Sequence, residues 1–242
     1  MAGIFLLPLR LIDFHVVIWY NGRIMKDTIT ALKEILKEFP SFWDGKTAIL
    51  EMKNAGYNQW RQNEWIGFYF QYLCDKNLPR IGMKVPGTRF GRAEFDGNLI
   101  IDWDFKAHPI HNKDGKEVTK LIANDLEATE GTINRNGKTG LIVAMGEATF
   151  DNPVTMPFRS WHKDLKGGDS AYSLQNIARG ASKRLYKTAF KVKSINLYIL
   201  DQHDLDNQGR FQEGMRNSNG NPRRPKIEVD LATITPVDKV IF

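Results

Sequence analysis

Residues 95 to 108 read FDGNLIIDWDFKAH and set three acids and a lysine into an apolar run. A β-strand has a side-chain period of two, so Asp102, Asp104 and Lys106 fall on one face while Ile101, Trp103 and Phe105 fall on the other. The apolar face has to be covered by a core. For the charged face two readings stand. One is an edge strand with a solvated face, Lys106 pairing with Asp104 or Asp102 to discourage edge aggregation. The other is a site for chemistry.

At 242 residues the chain is long enough to bury a sizeable core, and without a low-complexity linker it reads as a single domain over residues 1–242. With 42% hydrophobic and 26% charged residues it has the composition of an ordinary globular protein. The opening MAGIFLLPLRLIDFHVVIWY is apolar, but Pro8, Arg10, Asp13 and His15 interrupt it and no basic region precedes it. A buried strand or helix in a cytoplasmic protein without membrane contact is expected there. One cysteine, Cys74, excludes an intramolecular disulfide framework and a multi-cysteine zinc site; its apolar helical setting marks it as a core residue. The net charge is +6, and between residues 159 and 226 fourteen Lys and Arg face six Asp and Glu. The basic surplus is local and points to an anionic partner.

Apolar spacing predicts a helix over 27–39, with Asp27 as cap and Pro40 as stop, and a more deeply packed helix over 58–74 that carries Glu64. Trp60, Trp65, Phe68, Tyr69 and Phe70 recur in it at core-packing spacing. Residues 79–92 read as a loop. A strand ending at Phe95 and Asp96, a Gly97-Asn98 turn and a strand from Leu99 to Lys106 follow, then a strand over 140–150, a helix over 170–190 and a strand over 194–200. The layout from 58 to 200 is a mixed α/β core of helix, three strands, helix and strand.

Carboxylates at a strand end with a lysine nearby suit metal-assisted phosphodiester hydrolysis. Mg²⁺ prefers one or two protein carboxylates plus phosphate oxygens, it acidifies water, and it neutralises charge on the transition state. An ammonium group can orient the water or meet the developing charge. The acid-x-Lys triplet alone is common: five start at Asp44, Glu51, Asp104, Asp114 and Asp164, where chance gives about two. Only Glu51-Met52-Lys53 and Asp104-Phe105-Lys106 close an apolar run with another Asp upstream, Asp44 and Asp96 respectively. The second suits the element order better, because the first would put its hairpin before the 58–74 helix.

Asp96 with Asp104-Phe105-Lys106, in that element order, resembles the PD-(D/E)xK nuclease superfamily and most of all a type II restriction endonuclease. Phe95 stands where the proline of the motif would be. The resemblance implies a restriction-endonuclease-like mixed β-sheet flanked by helices (αβββαβ) over about 58–200, with a basic excursion over 201–242. It implies Mg²⁺ held by Asp96 and Asp104, a water positioned by Lys106, and a helix acid, here Glu64, completing the site. It implies double-stranded DNA as substrate and, for a palindromic target, a two-fold homodimer. A repair or recombination nuclease of the same superfamily and a non-catalytic DNA-binding protein remain as alternatives.

The basic segment supplies candidate DNA contacts. Arg159, Lys163, Lys166 and Ser170 surround a Gly167-Gly168 turn before a helix start, where backbone amides can bind phosphate. Arg179, Lys183, Arg184 and Lys187 recur as one basic helical face. Arg210, Arg216, Arg223, Arg224 and Lys226, among Asn and Gln, are side chains able to contact base edges. His108, two residues past Lys106, is placed to touch a substrate phosphate. The GKTG at 137–140 lacks the upstream glycine of a phosphate-binding loop and precedes a strand, so that reading is rejected. A metal set of His108 and His111 with Cys74 or Asp114 lacks the spacing of a zinc site.

Overall fold

The computed structural model describes residues 14–86, 95–169, 171–180, 185–216 and 220–242. It is a mixed α/β structure: a curled mixed sheet flanked by helices, with a second, smaller sheet against one face. The elements are α1 (Phe14–Leu36), β1 (Phe42–Asp44), α2 (Gly45–Asn54), α3 (Trp65–Asn77), β2 (Gly97–Leu99), β3 (Ile101–Pro109), β4 (Lys120–Asp125), α4 (Leu126–Asn136), β5 (Thr139–Phe150), α5 (Pro157–Lys166), α6 (Ala171–Ala178), β6 (Lys187–Leu200), α7 (Gln202–Asp206), β7 (Gly209–Phe211), β8 (Lys226–Asp230) and β9 (Asp238–Ile241). The main sheet runs β1-β6-β5-β3-β2, with β9 also on β6; the small one runs β4-β8-β7. Among the described residues only β3 and β5 pair in parallel, and the chain between them passes through β4 and α4.

The sheet is buried on both faces, and the alternation along its strands shows it. In β5, Ile142 and Ala144 enter the main core with α1, α2 and α3, while Leu141 and Val143 enter a second core with β4, β8 and α7. Trp43, Trp65 and Trp103 are the largest fully buried side chains, and such burial is worth roughly 1.5–3 kcal/mol per large apolar residue. Trp65 also donates its indole N–H to the Lys187 carbonyl at 2.7 Å, which ties the start of α3 to the start of β6.

Several elements differ from the sequence reading. The first described helix starts at Phe14, so Asp27 lies inside it rather than capping it; residues 1–13 of the apolar opening lie outside the described residues. Among the described residues no helix is long and apolar enough to cross a membrane. The expected turn at Gly97-Asn98 is a strand, because Asn98 pairs back to Lys84 and a Cβ at Gly97 would collide with Met83 and Phe105. The reversal falls at Ile100, with φ 65, a strained place for a β-branched residue. The expected helix over 170–190 is α6 alone, which ends at Ala178 before Gly180, itself at φ 67; Lys187 already belongs to β6. β4, α4 and α5 were not anticipated.

Candidate active site

β3 delivers the alternation read from its sequence: Ile101, Trp103 and Phe105 lie in the main core. Its charged face is not simply solvated as the edge-strand alternative expected, since Asp104 is 3% exposed, although Lys106 does pair with Asp104. Asp102 is spent on α4, where Thr132 and Asn136 donate to it. β2 ends its pairing at Gly97 opposite Trp103, and among the described residues no strand pairs with the outer edge of β3 beyond that point.

Asp96 closes that edge. Its N–H donates to the Trp103 carbonyl at 3.0 Å, and its Oδ2 accepts the Phe105 N–H at 2.8 Å in place of a backbone acceptor. Its Oδ1 accepts from the buried Gln71 amide of α3 at 2.9 Å. The Lys106 Nζ donates to Asp104 Oδ1 at 2.6 Å and lies 3.9 Å from Asp96 Oδ2, so one ammonium bridges the two acids. Asp104 Oδ2 is buried without a hydrogen-bond partner.

The electrostatics follow from crowding in a dry place. Burial, then the neighbouring charge of Asp104, push the Asp96 carboxyl up to about 8, against the opposing pull of Lys106. For Lys106, burial works against the charged form, but Asp104 and Asp96 outweigh it and the pKa is raised. Lys106 is therefore an ammonium ion at neutral pH.

The site opens on a cavity of about 320 Å³ lined by Glu64, Gln71, Asp96, Lys106 and Lys187, with Ile66 and Phe68 among its apolar walls. Asp104 sits behind Lys106, against Thr139 and Leu141. Glu64, just ahead of α3, accepts from Lys187 at 2.9 Å. It shares the cavity with Asp96, but Glu64, Asp96 and Asp104 do not converge to a three-carboxylate cluster. Among the described residues the only three donor groups within 4.8 Å of one another are those of Asp201, His203 and Asp204. That cluster is the capping box of the short helix α7: each Asp side chain accepts the other's backbone N–H.

The remaining candidates separate. Glu51 and Lys53 lie on helix α2, not on a strand, and Glu51 accepts from Tyr69 and Tyr72. His108 is 5% exposed and bonded to the Val118 carbonyl, and it does not line the cavity; burial lowers its pKa. Of the expected basic helical face, Arg179 follows the end of α6 and Lys187 is on β6 at the cavity; Lys183 and Arg184, like Ser170, lie outside the described residues. Arg159, Lys163 and Lys166 line a second cavity. In the excursion, Arg216 donates to the Gly220 carbonyl and Arg210 to the carbonyls of Leu205 and Gln208, so both hold their own loops. Arg224 and Lys226 face Asp125, and Arg223 is exposed.

Two site residues escaped the sequence reading. Gln71 follows Glu64 by two helical turns and is a polar residue on an otherwise apolar helix, which was its visible signal. Lys187 was seen, but in the wrong element. Comparison with known proteins gives no matching family model, no matching curated protein and no matching solved structure. The chemistry of the site is read from its own geometry.

Proposed function

We propose that this chain is a Mg²⁺-dependent endonuclease of the PD-(D/E)xK kind, with a restriction-endonuclease-like core, that cleaves double-stranded DNA at specific sites. The reading is carried by one observation: two carboxylates on the edge of a sheet, Asp104 buried and Asp96 partly so, share a single ammonium group, and among the described residues one Asp104 oxygen has no hydrogen-bond partner. A buried, unpaired carboxylate oxygen is costly, and a carboxyl driven up to about 8 by burial and its neighbour is relieved by added positive charge. The donor set, oxygen only, suits a hard divalent cation.

Asp96 and Asp104 would hold the ion. When bound, Mg²⁺ supplies positive charge that polarises the phosphodiester and acidifies water. Lys106, kept as an ammonium ion, donates hydrogen bonds that orient the attacking water and meets negative charge developing on the phosphate. Gln71 and the Phe105 amide fix the Asp96 carboxylate in place. Glu64 and Lys187 face the same cavity and set the charge at its rim. On a palindromic target, a two-fold homodimer would place one such site on each strand.

The test is incubation of the purified protein with supercoiled plasmid and Mg²⁺, beside Asp104→Ala and Glu51→Ala. Discrete fragments are expected from the parent and from Glu51→Ala, and intact plasmid from Asp104→Ala. Plasmid left intact by the parent in Mg²⁺ overturns the reading in favour of a non-catalytic DNA-binding protein. Cutting by Asp104→Ala but not by Glu51→Ala overturns the site.

A further inference from the structure

We infer that a cationic cavity beside the acid site seats the phosphodiester backbone of the DNA strand presented to Asp96 and Lys106; that it is this strand rests on the nuclease reading above. The cavity holds about 570 Å³. Arg61, Arg159, Lys163 and Lys166 line it against one carboxylate, Asp169. Lys163 takes that carboxylate, at 2.6 Å. Among the described residues Arg61, Arg159 and Lys166 have no carboxylate at ion-pair distance. Their charges are held by other means.

The Arg61 guanidinium lies over the Trp60 ring at 4.8 Å and the Arg159 guanidinium over the Tyr186 ring at 5.5 Å. A cation–π contact of this kind holds the group over the ring without consuming its hydrogen-bonding capacity, which stays available to phosphate oxygens. Lys166, only partly exposed, donates to the Asn63 side chain at 2.9 Å, and burial lowers its pKa. Burial outweighs the pull of Asp169 on Lys166, and a partly desolvated cation of this kind is stabilised by any further anion that enters.

The position of the cavity gives it a role. Asn63 and Tyr186 line it, while Glu64 and Lys187, the next residue of each segment, line the acid cavity. Adjacent residues lie about 3.8 Å apart, so the two cavities share a wall one residue thick on both sides. A strand with one phosphate among the cations therefore brings its neighbouring phosphates across the Glu64–Lys187 ion pair toward Lys106. Arg61, which precedes the helix and drew no attention in the sequence, is the residue this assignment adds to the basic segment.

The test is equilibrium binding of a fluorescently labelled DNA duplex in EDTA, where no cutting occurs, at salt concentrations from about 50 to 200 mM. Each lost phosphate contact removes about 0.9 from the slope of log K against log salt. The combined Arg61→Ala, Arg159→Ala and Lys166→Ala protein is expected to lose about 2–3 from that slope and on the order of 100-fold in affinity near 0.15 M salt. Asp169→Asn is expected to bind more tightly. A control carrying Lys26→Ala, Lys116→Ala and Lys239→Ala removes the same charge from exposed positions outside the cavity and is expected to keep the slope.

An unchanged slope in the cavity variant, or an equal loss in the control, overturns the inference. The two proposals fail separately. A parent that cuts plasmid while the cavity variant binds normally refutes the cavity and spares the nuclease. A parent that never cuts, with the slope lost only in the cavity variant, refutes the nuclease and leaves a phosphate-binding cavity.

Discussion

Glu51-Met52-Lys53 and Asp104-Phe105-Lys106 have the same pattern of acid, apolar residue and lysine, and the fold gives them opposite fates. On α2, residues two apart point to different sides of the helix. Glu51 turns to the hydroxyls of Tyr69 and Tyr72 and to Lys76, while the Lys53 ammonium lies over the Trp60 ring at 5.3 Å. On β3, residues two apart share a face, and Lys106 meets Asp104 at 2.6 Å. A triplet with this spacing joins its acid to its lysine only in a strand. It forms a site only where a second acid waits at the strand edge, as Asp96 does.

The largest expected contrast is in turnover. Asp104→Ala or Lys106→Ala should lower plasmid cleavage by roughly 10²–10⁴-fold, the usual range for a group acting in the transition state, while Lys53→Ala should leave the rate within about twofold. Single-turnover cleavage assays at saturating Mg²⁺ would measure this, and comparable losses in both triplets would break the contrast.

A third carboxylate, partly buried, sharpens it, because among the described residues no ammonium group pairs with it. Asp75 accepts from the Tyr57 hydroxyl at 3.1 Å, its other oxygen is unpartnered, and burial pushes it up to about 7 from 3.8. Between those values the folded state keeps a proton that the unfolded state has released, so stability falls as pH rises through that window. Asp75→Asn should therefore gain on the parent protein, on the order of 2–4 kcal/mol, between pH 4 and pH 8. Urea titrations at the two pH values would measure the gain, and a constant difference would mean that Asp75 is ionised throughout.

Smaller effects test how the acids are held. Gln71→Ala removes a donor to Asp96 and should raise the Mg²⁺ concentration needed for half-maximal cutting by about 10–100-fold, as loss of an outer-shell partner does. Gln71→Glu, which cannot donate when ionised, should not restore it. Glu51→Ala should cut normally yet lose about 1–3 kcal/mol of stability, since the buried Tyr69 hydroxyl loses its acceptor.

What the sequence made readable was whatever followed a simple period. The two faces of β3, the apolar body of α3 and the strand β5 all announce themselves by spacing. What stayed hidden depended on contacts distant in sequence. The helix α4 buries Thr129 and Thr132 as well as Ile133, so its inner face carries little apolar signal. Asp27 and Pro40 read as cap and stop, but α1 runs on from Phe14 because its apolar residues Ile29, Leu32 and Leu36 pack into a core that only the tertiary fold supplies. At the site, Asp96, Asp104 and Lys106 could be named because strand geometry links them. Gln71 and Lys187 could not be placed, because nothing local says which turn of a helix or which end of a strand will face an edge. The cationic cavity draws on residues 61 to 63, on 159 to 169 and on Tyr186, segments that share no pattern.

The glycine of GKTG, dismissed as part of a nucleotide loop, has another use. Gly140 pairs with Trp103 across the parallel strands, and a Cβ there would collide with the indole ring. A slip of one residue between β3 and β5 would turn every side chain of β3 to the wrong layer and would also set the indole against a neighbour, Thr139 or Leu141, that has no room for it. The bare backbone at 140 thus acts as a keyway: it admits one alignment of the two strands, and in that alignment Lys106 reaches the cavity with Asp104 held behind it.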